Sequence, residues 1–540
     1  MLPRIWGNDN SSPVKGGTLA ENGTGKFSDI DKNTLEYLKW LGCSHVWYTG
    51  ILRHSTQASE AGCTPSHPQF VKGKAGSPYA ICDYYDVNAY LADDPQNRMG
   101  EFEDLIRRTH EAGLKVIMDF VPNHVSRDYG KIDPTPGHPV LGAEDDKSVH
   151  WKPENDFFYY PGQSLTLPTA VPEGMEPYHE CPAMATGNNC YTASPGINDW
   201  FETVKINYGD THTGTWDKML DIIMFWASKG VDGFRCDMAE MVPVAFWHWV
   251  IAELKKRFSK LIFIAEVYNP SLYRSYIKYG GFDYLYDKVG LYDTLRGVMC
   301  GYTSASEITK AWQAVGDIQN NMLLFLENHD EQRIASEFFA NNSLKGIPAM
   351  MVATLLTASP TMCYFAQELG ERGMDEEGFS GRDGRTTIFD YWSVSSIRRW
   401  RNKDKFDGKN LTDEEKKLQS FYRTLLNLCN TEKAIRNGEF FDLTYANLEG
   451  CSFNEHKQYA FLRKCDKDLI LIVVNFDEAP ATPHIKIPAH AFEYLGIPEK
   501  KSYKTKELLT NKTDNISISP DQSVQVSLDG YGGILLKISL

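Results

Sequence analysis

VDGFRCD (231–237) and LIFIAEV (261–267) are two short apolar runs, each of which breaks into a carboxylate at its C-terminal end. Continuous apolar runs of this length read as strands buried on both faces, as in a parallel sheet. The same form recurs in HVWYTG (45–50), LKVIMDFVPNH (114–124), MLLFLENHD (322–330) and TMCYFAQELG (361–370). Amphipathic helical patterns lie between several of them. MGEFEDLIRRTHEAG (99–113) sets Phe102, Leu105, Ile106 and Thr109 on one face, and WDKMLDIIMFWASKG (216–230) ends, like it, on a glycine suited to a helix C-cap. Alternating strand and helix predict an α/β fold with a parallel sheet. The polar cluster falls at the C-terminal strand end each time, which predicts a (β/α)8 TIM barrel with its chemistry at that mouth.

One interval breaks the rhythm. Between Asn123 and about Asp210 the chain is rich in Pro, Gly, Tyr, Trp and His, with no clean strand–helix unit. So long a loop in a compact domain is functional or a small domain of its own, here inserted after the third barrel strand. Beyond TDEEKKLQSFYRTLLNLCN (412–430), a helix that would close the barrel, YAFLRK (459–464), DLILIVVNF (468–476) and GGILLKIS (532–539) read as strands of an antiparallel β-sandwich. The expected division is a barrel over 1–124 and 211–435, an insert over 125–210 and a C-terminal sandwich over 436–540.

With 540 residues, 42% of them hydrophobic, the chain can bury a sizeable core in two or three domains. A net charge of −15 argues against nucleic acid as a partner. No stretch approaches the roughly 20 apolar residues of a membrane helix, so no transmembrane segment is expected. MLPRIWGNDNSS at the start has no signal-peptide core, and eleven cysteines cannot all pair. Both favour a cytoplasmic protein with reduced thiols, although Cys181 and Cys190 are near enough in sequence to pair in an oxidising compartment.

Four strand ends carry the chemistry: DFVPNH (119–124), GFRCD (233–237), AEVYNP (265–270) and ENHDEQR (327–333). Cleaving a glycosidic bond takes one carboxylic acid to protonate the leaving oxygen and one carboxylate to meet the oxocarbenium-like carbon. When the second attacks directly, the two stand about 5–5.5 Å apart and configuration is retained. Asp237 and Glu266 end successive predicted strands, and strands lie about 4.8 Å apart, so that spacing comes naturally. Arg235, two residues before Asp237 on the same strand face, could hold it ionised. Glu266 follows an apolar strand near other carboxylates, which favours a raised pKa and an acid role. Asp330 would enter from farther round the ring, and His124 and His329 could bond sugar hydroxyls. Alone, each would more often be an ordinary strand-end or core residue; it is their order in four segments that weighs.

Those four segments, in this order and spacing, resemble the characteristic regions of glycoside hydrolase family 13, the α-amylase family. The insert corresponds to that family's domain B and the terminal sandwich to its domain C. The resemblance implies Asp237 as nucleophile, Glu266 as proton donor and Asp330 as the carboxylate that binds sugar hydroxyls and steadies the distorted transition state. It further implies Arg235 in support of the nucleophile, and His124 and His329 on the sugar at the cleavage point. SPYAICDYYDV (77–87) resembles the stretch after the family's second strand, with Tyr79 stacking on that sugar and Asp83 a structural partner nearby.

The chain also departs from the pattern. Many members carry Lys-His soon after the nucleophile; here Asp237-Met238-Ala239-Glu240-Met241 has neither, and Glu240 is the candidate for leaving-group-side binding. No cofactor is required for the chemistry. For a structural calcium, Asn123 matches a family ligand, but SPGIND (194–199) does not clearly supply the matching Asp, and AENGTGKFSDI (20–30) resembles a second calcium loop only weakly. The family's first strand usually begins before the equivalent of Leu2-Pro3-Arg4, which leaves a periplasmic or secreted location open. The expected substrate is an α-1,4-linked glucan such as starch or a maltooligosaccharide. A transglycosylase, or an enzyme for α-1,6 bonds or short oligosaccharides, would carry the same triad. A non-catalytic glucan-binding or transporter-partner module would have lost part of it, and a metal-dependent hydrolase would need a compact ligand cluster that is lacking.

Overall fold

The computed structural model describes residues 1–448, 452–498 and 500–540. Its centre is a parallel sheet of seven strands: β1 (His45–Tyr48), β2 (Lys115–Phe120), β3 (Gly233–Cys236), β4 (Ile262–Ala265), β5 (Tyr284–Tyr286), β6 (Met322–Phe325) and β7 (Thr361–Met362). Each strand pairs with the next in the chain. Six are the apolar runs read from sequence; β5, three residues within Asp283-Tyr-Leu-Tyr-Asp287, is too short and too polar at its flanks for that signal. β3 and β6 are buried throughout, as strands enclosed on both faces must be.

Eight strands were expected and seven are hydrogen-bonded. Beside β1 stands Met1, whose amine donates to the Trp47 carbonyl at 2.7 Å and whose carbonyl accepts from Thr49 N–H at 2.9 Å. Burial pushes that amine down to about 5, against the pull of Asp119.

The helices around the sheet follow their stripes. In α1 (Lys32–Leu41), Asp31 caps the Thr34 amide at 2.9 Å. α2 (Arg98–Glu111) buries Phe102, Leu105, Ile106 and Thr109, the predicted face, and Thr109 meets the Tyr48 hydroxyl of β1 at 2.8 Å. α3 (Gly214–Ser228) and α4 (Val244–Arg257) flank β3 in sequence. α5 (Asp413–Thr431) opens with a reciprocal cap between Thr412 and Glu415.

Between β2 and α3 the long stretch forms only short antiparallel pairs, 124–126 with 203–205 and 159–160 with 183–184. A buried ion pair between Arg127 and Glu180, at 2.7 Å, ties its interior.

The C-terminal region is a six-stranded antiparallel sheet in the order β8 (Glu439–Asp442), β9 (Gln458–Cys465), β10 (Asp468–Asn475), β13 (Gly532–Ser539), β11 (Tyr503–Glu507) and β12 (Thr513–Ile516). A two-stranded layer, 484–486 with 523–525, completes the sandwich. Alternate residues of β9 and β10 face opposite ways: Leu462, Leu471 and Val473 pack with Ile485 and Val524, while Phe461, Ile470 and Ile472 join the barrel core. Two buried faces explain why these strands read as unbroken apolar runs. All ten described cysteines are free, Cys181 and Cys190 included. Among the described residues no helix is long and apolar enough to cross a membrane.

Candidate active site

Arg235 is the hub. β3 pairs with β2 and β4, which sets Asp119 of β2 opposite Arg235 and puts Glu266 one residue past the end of β4. Arg235 Nη1 donates to Asp237 Oδ1 at 2.6 Å, and Nη2 lies 2.8 Å from Glu266 Oε1. Nη1 is also 3.5 Å from Asp119 Oδ1, and Nε donates to the Tyr286 hydroxyl at 3.1 Å. The guanidinium lies over the rings of Trp47, Tyr79 and Tyr286. One buried cation thus lies within ion-pair reach of three buried carboxylates, a task that suits a delocalised planar guanidinium able to face aromatic rings as well.

Glu266 is held on both oxygens. The Met238 amide donates to Oε2 at 2.8 Å and the Tyr268 hydroxyl to Oε1 at 2.7 Å. Burial drives Asp237 well above the usual carboxylate range; Arg235 opposes this and Glu266 adds to it. Burial and the charge of Glu266 raise Asp330 to about 7.

A second group faces the first. The Tyr79 ring stacks on His329 with centroids 5.2 Å apart, its hydroxyl 2.6 Å from His329 Nε2. The same nitrogen is 3.1 Å from Asp330 Oδ2. Burial, then the charge of Arg235, holds His329 well below its usual range and therefore neutral. Asp330, with a third of its side chain exposed, is the open member of the group.

His124 is buried beside Trp200, and burial with the positive charge of Lys205 lowers it to about 3. Glu240, in the turn after β3, accepts on one oxygen from the amides of Tyr268 at 3.2 Å and Asn269 at 3.0 Å. It fixes the turn after β4. Asp83 accepts from the Thr135 amide and hydroxyl at 2.8 and 2.7 Å, outside this group.

Asn123 is committed differently from the calcium reading. Its side-chain oxygen accepts a hydrogen bond from the Lys205 ammonium, which also donates to the Met241 carbonyl at 3.2 Å. Asp199 of SPGIND accepts from Asn188 Nδ2 at 2.7 Å and from the Gly196 amide. In the 20–30 loop, Glu21 caps a short helix and Asp29 takes the Lys26 amide and Arg401. No group of three His, Cys, Asp or Glu placed to hold a metal exists among the described residues. The residues present do not fit the ion.

Asp119, Trp47, Tyr268, Tyr286 and Lys205 were not singled out from sequence. Tyr268 could have been found, since it follows Glu266 by two and so shares its face. Asp119 opposes Arg235 only through strand register, and Lys205 opposes His124 in the same way.

A parallel β/α barrel whose strand ends join two carboxylates through one arginine, with a third carboxylate and an aromatic platform facing them, is an α-amylase-type barrel. Residues 19–258 match the family model of the α-amylase catalytic domain. By that match residues 19–258 carry the catalytic domain of the α-amylase family, glycoside hydrolase family 13. It is 24% identical over 469 residues to alpha-amylase MalA of Haloarcula japonica, a match covering 85% of this chain and 54% of that protein. It is 24% identical to alpha-amylase 3 of Dictyoglomus thermophilum over 80% of each chain. The chain thus spans about half the length of the first relative and four fifths of the second. Its fold is similar to that of a maltogenic alpha-amylase, AmyB, from Thermotoga neapolitana, with a TM-score of 0.63, 20% identity and 95% of each chain covered.

Proposed function

We propose that the chain is a retaining hydrolase of α-1,4-glucosidic bonds in starch-type glucans or maltooligosaccharides. The observation that carries this reading is the Arg235 clamp: Asp237 and Glu266, from adjacent strands, share one guanidinium. Carboxylates held that close suit the separation of about 5–5.5 Å that direct attack needs, and leave little room for the water an inverting enzyme places between them.

In this reading the Asp237 carboxylate attacks the anomeric carbon while Glu266 gives its proton to the departing glycosidic oxygen. A covalent glycosyl–enzyme ester forms. Glu266, now a base, then takes a proton from water, and the hydroxide equivalent displaces Asp237 with a second inversion. The excess of negative charge around Arg235 steadies the positive charge that develops on the sugar ring. Tyr79 offers a face for the ring, and Asp330, His329 and His124 offer partners for its hydroxyls. Glu240 serves the leaving-group side with its second oxygen.

The test is a product analysis on maltoheptaose, soluble starch and pullulan, with the anomeric form followed over time. Shorter α-anomeric products from the first two support the reading. Products longer than maltoheptaose mean transglycosylation, release from pullulan alone means α-1,6 specificity, and β-anomeric products overturn the double displacement.

A further inference from the structure

The Lys205 side chain is buried where three chain segments meet. It belongs to strand 203–205, and its two acceptors are Asn123 Oδ1, past the end of β2, and the Met241 carbonyl, in the turn after β3. Among the described residues no carboxylate forms an ion pair with it, and burial lowers its pKa to about 7. A buried ammonium is expensive unless its donors are matched, so its presence calls for a purpose beyond packing.

The amide it meets is fully used. With Oδ1 accepting from Lys205, Asn123 Nδ2 must be the donor, to the Gly187 carbonyl at 2.8 Å and to His124 Nδ1 at 3.1 Å. His124 then accepts on Nδ1 and so carries its proton on Nε2. Gly187 closes on the same histidine: a Cβ there would come within 2.8 Å of His124 Cβ and 2.7 Å of Thr203 Oγ1.

We propose that the Lys205 ammonium is a built-in cation that locks the inserted segment onto the barrel in place of a divalent metal, and that through Asn123 it sets the tautomer and orientation of His124. Lys205 is a positioning residue. A calcium ion takes 6–8 oxygens, several from carboxylates; here two neutral oxygens face a lysine. The His124 part of the proposal rests on its sugar contact as proposed above; the metal part does not.

Two experiments test it. In the first, the wild-type protein is treated with EDTA, exchanged into metal-free buffer, and followed by thermal unfolding and by calorimetric titration with CaCl2. The expected result is an unchanged Tm and no stoichiometric calcium binding. A Tm that falls with EDTA and returns with CaCl2 overturns the built-in cation, whatever the protein's activity. In the second, Lys205→Met, Asn123→Ala and the double variant are compared in kcat and KM on maltooligosaccharides. Each single variant should raise KM about tenfold, the scale of one lost hydrogen bond, with a smaller change in kcat. The double variant should be no worse than the poorer single one, because both act through one path. An unchanged KM in Lys205→Met, or independent additive effects, overturns the link to His124. If Lys205→Met does not fold, Asn123→Asp, which keeps an acceptor for the ammonium but removes the donor to His124, must show the KM rise alone.

Discussion

At the scale of single residues, the site makes separable demands on Asp237 and Glu266. Asp237→Asn removes the proposed nucleophile and should lower kcat by at least about a thousandfold with the unfolding curve unchanged; near-normal turnover would remove it from that role. Glu266→Gln should lose about 10²–10⁴-fold on polysaccharide and far less on an aryl glycoside whose leaving group needs no proton. Equal losses on both substrates would count against the acid role. The buried position of Asp237 sets a pH dependence. An ionised nucleophile is required, so kcat/KM falls as pH drops through its raised pKa, and the acid limb should lie above about 4, the ordinary Asp value. Asp119 adds to that rise, so Asp119→Asn should move the limb to lower pH; a stationary limb would show that its charge is not felt. Asp330 bears on stability instead. Its folded pKa of about 7 exceeds the ordinary Asp value of about 4, so protonation favours the fold, and stability should decline as pH rises from about 4 to 7. In Asp330→Asn the Tm should lose that slope.

At the scale of elements, what could be read from sequence and what could not have physical causes. A strand buried on both faces shows itself as an apolar run, and a carboxylate at its end stands out against that run; hence six of the seven strands were legible, as were Asp237, Glu266 and Asp330 as the carboxylates gathered at their ends. β5 was not, because three residues with aspartates on either side carry no such contrast. Partnerships across strands were hidden as well. Nothing local announces that Asp119 faces Arg235 or that Lys205 faces His124, since register is set by the whole sheet. The prediction that belongs here concerns the pair 124–126 and 203–205. Gly187→Ala forces a methyl group against His124 and Thr203, so it should raise KM while leaving the acid limb of the pH profile in place. A KM within error of wild type would mean the short sheet yields without moving His124.

At the scale of the whole molecule, the C-terminal sandwich is bound to the barrel by buried polar contacts as well as apolar ones. Arg463 of β9 donates to the carbonyls of Leu356, Ala434 and Ile435 at 2.8, 3.2 and 2.6 Å. Asp442 of β8 accepts from Thr309 at 2.5 Å and Trp312 at 3.2 Å. Arg463→Met would strand three buried carbonyls, each at a cost of about 1–3 kcal/mol. Urea unfolding should then start earlier and separate into two transitions; a single transition at the wild-type midpoint would show the interface to be carried by apolar packing.

The stretch between β2 and α3 leaves through residues 124–126 and returns through 203–205, and those two segments are paired with each other. Its mouth is therefore closed whatever its interior does, and the entropy of closing a loop grows only with the logarithm of its length. The barrel meets this region as a clasp of fixed width. Residues 127–202 are in that sense a cassette pinned at two points: so long as Gly187 and Trp200 keep their contacts with Asn123 and His124, a longer, shorter or differently folded passage could be spliced between the same two clasp strands, and the shape of the cleft redrawn, without touching Asp237, Glu266 or Asp330.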